Sequence, residues 1–215
     1  MDVVFDLGAA PGVAIVGTMT TAMTVPLVPG MDVFGIRFRP GGALPWLRVP
    51  ADELTDSAAD SCSGELRPPS WLVDALSATA SLDARSQVAG TWLQSVARRD
   101  QHDAPVFAAA RLLAIEAQSV SAAARHLNMS ERTLQRSFQR SVGLTPMEYR
   151  RIARLRRLLS RLDTADVSLA DAAVDAGYYD QPHLDREFRR LVGCAPRQWL
   201  ATRVGFVQDS TIAIL

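Results

Sequence analysis

The 215-residue chain contains no lysine, only two cysteines and only three histidines. Cys62 and Cys194 lie one in each half, so no disulfide framework is expected and a reducing cytosol is the simplest compartment. The N-terminal stretch is acidic, so no secretory signal is visible, and no apolar run reaches the roughly 18 residues of a membrane span. We therefore expect a cytoplasmic protein with no membrane partner.

The sequence also lacks the clusters that carry catalysis. His102, His126 and His183 have no metal-ligand spacing with the cysteines, and His183 with Glu187 is a single pair rather than a site. The glycines of "RPGG" read as a turn, because no phosphate-binding glycine motif surrounds them. We predict no catalytic residue, no metal and no cofactor, and hence no enzyme.

Charge is unevenly distributed along the chain. The formal net charge is +0, and all 23 basic residues are arginine. Residues 1–105 carry 7 arginines against 12 acids, whereas residues 106–215 carry 16 against 11. This contrast predicts two domains with different partners, and the length allows both to bury a core.

The N-terminal half reads as strands followed by helices. "DVVFDLG", "GVAIVGTM" and "VFGIRFRPGG" are short, partly alternating runs bounded by glycine or proline, which is typical of strands. "VPADELTD" predicts a turn into a short helix, and "WLVDALSATA" and "DARSQVAGTWLQSVARR" predict longer ones. The polar segment 99–105 is the predicted linker, and residues after it read as helix and turn.

The C-terminal half contains an internal repeat at an offset of 50 residues. "SERTLQRSFQRSVGLTP" superposes on "DQPHLDREFRRLVGCAP", so that Leu134 meets Leu184 and Phe138 meets Phe188. Each copy follows an alanine-rich segment and a turn containing Asn128 or Gly177, residue types that tolerate the left-handed conformation. Two helices joined by such a tight turn form a helix-turn-helix, and the sequence predicts two of them.

The second helix of this motif enters the DNA major groove, and its N-terminal residues reach base edges. Polar helix faces usually meet only solvent, but here the repeat favours DNA. In the first copy (about 130–142) the base-contact candidates are Arg132, Gln135 and Arg136, since arginine and glutamine pair bidentately with guanine and adenine. The candidates in the second copy (about 180–192) are Gln181, His183, Asp185 and Arg186.

The segment from Ser130 to Arg161 has 9 arginines against 2 acids, a surplus that fits phosphate contacts. The phosphate candidates are Ser130, Thr133, Arg140, Arg150, Arg154, Arg189 and Arg190. On the helix between the copies, Arg150, Arg154, Arg157 and Arg161 form a stripe. The sequence does not decide whether this stripe contacts phosphates or is ordinary solvent-exposed surface. Asp185 is repelled by phosphate unless it accepts from cytosine N4, so we expect the second copy to contribute less affinity.

Residues 106–203 resemble the AraC/XylS family of bacterial transcription regulators. The resemblance rests on "SERTLQRSFQRSVGLTP" and above all on "AGYYDQPHLDREFRRLVGCAPRQW". It implies sequence-specific binding of double-stranded DNA near promoters and contact with RNA polymerase. The base-facing positions that it implies coincide with the candidates above, together with Pro182.

The N-terminal half resembles, over "MDVVFDLG", "GIRFRPGG" and "VPADELTD", the cupin-like sensor domain of one branch of that family. Such domains are longer and start upstream of the strand that opens here at Met1, so we expect an incomplete barrel. Open strand edges invite dimerisation, which leaves a homodimer as an alternative to a monomer. The resemblance also implies a small-molecule effector.

We therefore predict an α+β chain in which an all-α double helix-turn-helix domain follows a smaller, β-rich, cupin-like domain with helices. The expected boundaries are 1–103 for the sensor or dimerisation domain, 106–203 for the DNA-binding domain and 204–215 for a tail packed on one of them. The predicted function is sequence-specific, effector-modulated transcription regulation. The alternative is a small-molecule-binding or protein-interaction module whose DNA-binding domain is vestigial.

Overall fold

The computed structural model describes residues 1–8, 11–23, 25, 29–46, 50–60, 68–97, 103–164, 167–201 and 212–214. It confirms the predicted α+β class, with a β-rich N-terminal part followed by a helical C-terminal part. The cysteine in the "SCSGELRPPS" loop and most of the predicted linker and tail lie outside these residues.

The described residues of the N-terminal half form one twisted sheet, joined at an edge by the chain end. Its strands are β1 (Asp2–Asp6), β2 (Gly12–Val16), β3 (Val33–Arg37), β4 (Ala58–Asp60) and β5 (Ile212–Ile214), in the order β4-β2-β1-β3-β5. The first four pair antiparallel, whereas β5 pairs parallel to β3. The three predicted strands are present, β4 was not predicted, and the described part of the tail lies on the N-terminal sheet.

Two helices cover one face of this sheet, α1 (Ser70–Ser77) and α2 (Leu82–Val96). Alternation along the strands explains the packing, because Val3 and Phe5 point into the core and meet Phe34 and Ile36 of β3. The predicted short helix is a single 3₁₀ turn at Ala51–Leu54.

A buried arginine also ties α2 to the sheet side. The Arg85 guanidinium binds the Asp32 carboxylate through two hydrogen bonds of 2.7 and 2.5 Å, and its Nε donates to the carbonyl oxygens of Leu76 and Thr79. These hydrogen bonds, more than the opposite charge itself, lower the pKa of Asp32 and raise that of Arg85.

The C-terminal half is built from seven helices in the described residues. They are α3 (Ala104–Ala114), α4 (Val120–His126), α5 (Glu131–Val142), α6 (Pro146–Thr164), α7 (Leu169–Ala176), α8 (Gln181–Val192) and α9 (Pro196–Ala201). The Asp103 carboxylate caps α3 by accepting from the Val106 N–H, so helical structure begins inside the segment predicted as linker.

Each helix-turn-helix unit has its own hydrophobic core. The first core joins α3, α4 and α5 around Leu134 and Phe138, and the second joins α6, α7 and α8 around Leu184 and Phe188. The paired residues of the repeat are thus equivalent in space as well as in sequence. Helix α6 links the cores, since Tyr149 packs on the first and Leu158 lies in the second.

The two halves of the protein are in direct contact. Thr18 and Thr55 donate their hydroxyls to the carbonyl oxygens of Val142 and Gly143, each over 2.6 Å. The Ala22 N–H donates to the Leu191 carbonyl oxygen over 2.7 Å. The N-terminal half therefore contacts the C-terminal ends of both α5 and α8.

Candidate nucleic-acid interface

The turn of each helix-turn-helix contains a left-handed residue. Asn128 has φ 53° and Gly177 has φ 87°, in agreement with the residue types read from the sequence. Ala123 and Ala173 are buried just before these turns. Their small side chains permit α4 and α7 to approach α5 and α8 closely, which fixes the angle at which the second helix of each unit leaves the turn.

Helix α5 begins with a side-chain cap. The Ser130 hydroxyl accepts from the Thr133 N–H over 3.1 Å and lies 2.8 Å from the Thr133 hydroxyl. Glu131 in the first turn adds favourable charge at the positive end of the helix dipole. Residues 130–133 are all exposed, so the capped end of α5 is available to a partner.

The two faces of α5 differ sharply in exposure. Leu134 and Phe138 are fully buried, whereas Arg132, Gln135 and Arg136 are all exposed. Thr133, Gln139 and Arg140 are exposed as well. Every predicted DNA-contacting residue of this helix therefore lies on one accessible surface, which we call the α5 reading face.

The C-terminal end of α5 is held in place by the N-terminal half. Gly143 ends the helix with φ 81°, and a Cβ at this position would lie 2.8 Å from the Ala51 carbonyl oxygen and 2.8 Å from the Thr55 hydroxyl oxygen. Both the left-handed backbone and the close approach of the 3₁₀ turn thus require glycine. Gly193 ends α8 with φ 87° but has open space around it.

Helix α8 repeats this design with different surface residues. The Asp180 carboxylate caps it by accepting from the His183 N–H over 2.7 Å, and Leu184 and Phe188 are buried. Gln181 and Arg186 are exposed, as are the predicted phosphate residues Arg189 and Arg190; Asp185 is half-buried.

His183 and Arg154 are oriented toward the protein rather than outward. The His183 Nδ1 accepts from the Tyr179 N–H over 3.3 Å, and its Nε2 lies 3.6 Å from the Glu187 carboxylate. Arg154 donates to Glu187 over 3.3 Å, and its guanidinium carbon lies 5.4 Å from the centre of the Tyr178 ring. In this arrangement the two side chains are turned toward the protein. The DNA contacts predicted for them stay predictions.

The arginine stripe of α6 contacts both units. Besides Arg154, Arg161 binds the Asp175 carboxylate of α7 over 2.5 Å, and Arg150 donates to the Ala117 carbonyl oxygen over 3.4 Å. Partial burial, then repulsion from Arg154 and Arg157, lowers the pKa of Arg150. An anion beside Arg150 would relieve this crowding of positive charge.

Sequence reasoning missed two features of the second unit. Tyr179, directly before the N-cap of α8, is 91% exposed. Glu187 contacts three cationic or titratable side chains, although its pairing with His183 was visible as an i, i+4 spacing. The other two partners of Glu187, Arg151 and Arg154, lie on α6, and the sequence around Glu187 does not predict these contacts.

Other kinds of site find no support in the part of the chain that the structure describes. No group of three or more histidine, cysteine, aspartate or glutamate side chains there is arranged to hold a metal ion. Nor does any described helix combine the length and apolarity that crossing a membrane requires.

Comparisons with known proteins bear on both halves. Residues 123–202 match a family model described as a helix-turn-helix domain, and residues 1–60 match one described as a domain of unknown function, DUF6597. None of the curated proteins compared with the chain matches it. Among solved structures, the C-terminal domain of AraT, a response regulator from Geobacillus stearothermophilus, is 20% identical over 50% of this chain and 93% of that chain, with a TM-score of 0.44.

Proposed function

We propose that this protein is a DNA-binding transcription regulator whose helices α5 and α8 enter successive major grooves on one side of the duplex. Helix α6 joins the two units and has 19 residues. At 1.5 Å per residue it is about 28 Å long, comparable to the roughly 34 Å between major grooves one helical turn apart.

The observation that carries the proposal is the α5 reading face. Arg132, Gln135 and Arg136 are exposed on the capped end of a helix whose opposite face is fully buried. We assign base contacts to these three residues, because arginine reads guanine O6 and N7 and glutamine reads adenine N6 and N7.

In the second unit we assign base reading to Gln181, Asp185 and Arg186. Asp185 contributes only where it accepts from a cytosine amino group, so this unit adds less affinity than the first. The exposed Tyr179 hydroxyl is suited to a phosphate oxygen next to the groove.

Phosphate contacts set the register of the complex. Arg140, Arg189 and Arg190 are exposed near the C-terminal ends of the recognition helices, and Ser130 and Thr133 lie at the N-terminal end of α5. We also assign a phosphate contact to Arg150, because an anion would reduce the repulsion from the positive charges around it. These contacts supply affinity that does not depend on sequence and falls as salt rises.

We extend the proposal to effector control through the N-terminal half. A cleft of about 320 Å³ lies between the two halves, lined by residues 16–22 on one side and by Leu144, Ile152 and Leu155 on the other, with Arg37 and Arg156 among its charged residues. The hydroxyl of Thr18, which donates to the end of α5, belongs to the same lining. Arg37 is paired with Asp2 over 3.0 Å, so Arg156 is the cation that an anionic group on an otherwise apolar small molecule would bind. Entry of such a molecule would shift the ends of both recognition helices.

Contact with RNA polymerase and homodimerisation, both expected from the sequence, stay predictions. The boundaries 1–103, 106–203 and 204–215 stay proposals as well, since the helix before the first unit begins at Ala104 and the chain end pairs with β3.

A salt titration tests the DNA-binding part. The full chain should bind random duplex DNA at about 50 mM salt and lose affinity linearly in log–log form as salt rises to about 200 mM. The matched control is the Arg132→Ala, Gln135→Ala, Arg136→Ala triple variant, whose substitutions leave the buried face intact. Absence of binding at low salt, or affinity independent of salt, would favour the alternative of a vestigial DNA-binding domain.

The effector part is tested separately at the contact between halves. Thr18→Val and Thr55→Val together remove two hydrogen bonds to the end of α5 while keeping similar side-chain volume. If the N-terminal half controls DNA binding, affinity for a selected site should change about fivefold or more. An unchanged affinity would argue that the contact is only structural.

A further inference from the structure

A carboxylate is held between the connecting helix and the second recognition helix. The Glu187 side chain is only 14% exposed, and its Oε2 accepts from Arg154 Nη1 over 3.3 Å. Its Oε1 lies 3.5 Å from Arg151 Nε and 3.6 Å from His183 Nε2. One acidic residue of α8 therefore faces two arginines of α6 and a histidine of its own helix, and we call these four residues the Glu187 cluster.

The Glu187 cluster engages the polar atoms that DNA would otherwise use. The second ring nitrogen of His183 accepts from the Tyr179 N–H, so both nitrogens point to partners within the protein. Arg154 is 19% exposed as a side chain, with its guanidinium over the Tyr178 ring as well as against Glu187. Part of the hydrogen-bonding capacity of each side chain is therefore used within the protein.

Within the described residues, the first unit has no counterpart of the contacts among Glu187, His183 and Arg154. At the 50-residue offset of the second helices, Glu187 corresponds to Ser137 and His183 to Thr133. Upstream of the turns the offset is 49, and Arg154 there corresponds to Pro105. None of the three can form an ion pair. Thr133 is exposed on the α5 reading face rather than turned inward. The cluster thus distinguishes the second unit from the first while the cores of the two units remain equivalent.

We propose that Glu187 is a positioning and specificity-determining residue, which fixes α8 against α6 and withholds Arg151, Arg154 and His183 from DNA. The inference rests on the proposed DNA binding. A partly buried carboxylate offsets the two guanidinium charges, and without it the arginines would be left unpaired. The phosphates of bound DNA could then act as their counter-ions, in competition for Arg151 with Glu148, which lines the same cleft. Glu187 therefore limits sequence-independent attraction in the unit whose base reading is weaker.

The test is Glu187→Gln in the full chain, with the slope of log affinity against log salt measured on random duplex. We expect the slope to steepen by about one to two, since each phosphate neutralised adds roughly 0.9. The ratio of affinities for a selected site and for random DNA should fall about tenfold, because the gained contacts carry no sequence information. Glu187→Asp, which keeps the charge, should restore a slope close to that of the wild type.

Two further variants make the result specific. Arg154→Gln combined with Glu187→Gln removes one of the freed arginines and leaves fewer unpaired charges, so it should fold and should lose about one unit of the gained slope. Ser137→Ala, at the equivalent position of the first unit, should leave the slope unchanged.

A slope and an affinity ratio unchanged by Glu187→Gln would overturn the inference and leave Glu187 a purely structural residue. Equal slopes for Glu187→Gln and the double variant would overturn it too, because Arg154 would then not be the residue released. If the wild type binds no duplex even at low salt, the proposed function itself fails and this inference with it. Binding of the wild type to duplex DNA therefore distinguishes a failure of this inference from a failure of the proposed function.

Discussion

The two helix-turn-helix units share their architecture but differ in what holds their recognition helices. Both have a left-handed residue in the turn, a side-chain cap and a buried leucine and phenylalanine one turn apart. Helix α5 is fixed at its C-terminal end by the 3₁₀ turn of the N-terminal half, and its reading face is free. Helix α8 also receives one hydrogen bond from the N-terminal half at its C-terminal end, but it is held near its middle by Glu187. A duplicated fold can therefore keep its core while its two reading helices acquire different constraints.

The largest expected difference between the units is in the free energy of unfolding lost when the glycine that ends each recognition helix is replaced. Alanine in the left-handed conformation costs about 1–2 kcal/mol, which both Gly143→Ala and Gly193→Ala should show. Gly143→Ala must also displace the 3₁₀ turn, for a further loss of about 1–3 kcal/mol, since its Cβ would meet a carbonyl oxygen at 2.8 Å. Urea denaturation of the two variants should separate them. Equal losses would show that α5 is no more constrained than α8.

The next contrast is between the arginines assigned to bases. Arg136→Ala should cost about 1–3 kcal/mol of affinity on the preferred site and relax base choice at one position. Arg186→Ala should cost less, because the second unit carries Asp185 on the same surface and reads fewer bases. Affinities on the preferred site and on its single-base variants check this. An equal loss from Arg136→Ala on every sequence would make Arg136 a phosphate contact.

A smaller loss of DNA affinity, similar in both units, is expected when Arg140 or Arg190 is replaced. Both are exposed on the last turn of their helices. Alanine at either should weaken binding to all sequences alike and reduce the salt slope by about one. Salt titrations of the two single variants, beside the wild type, give the comparison. A slope reduced by Arg140→Ala alone would place only the first unit against the DNA backbone.

The smallest contrast is at the N-caps. Ser130→Ala and Asp180→Ala should each destabilise the protein by about 1 kcal/mol, because each removes the acceptor for an N–H of the first turn. Thermal unfolding should show similar losses for the pair. A clearly larger loss for Asp180→Ala would indicate that the cap also supports the Glu187 cluster through His183.

The sequence predicted the features that depend on local chemistry. The turn residues Asn128 and Gly177 and the buried Leu134 and Phe138 follow from periodicity, capping and backbone preference, all of which act within a few residues. The repeat also predicted which residues of the two units are equivalent. Core residues of the same type that are 50 positions apart occupy the same place in both copies.

The features that were missed depend on contacts between distant segments. β4 is too short and alanine-rich to show an alternating pattern, and its strand character comes from pairing with β2. The ion pair of Arg85 with Asp32 joins residues 53 positions apart. The periodicity of α6 predicts a core face of Ile152, Leu155, Leu159 and Leu162, whereas Leu158 is also fully buried in the second core. Its burial follows from the packing of α7 and α8 on two sides of that helix.

The central claim is that both units read DNA and that α5 reads it better. Selection of bound sites from random duplex DNA by the full chain tests this most directly. We predict a motif with two blocks about 10–10.5 base pairs apart from centre to centre, in which the block removed by the Arg132→Ala, Gln135→Ala, Arg136→Ala variant is the better defined one. Failure to enrich any sequence, or a single block insensitive to those three substitutions, would contradict the account.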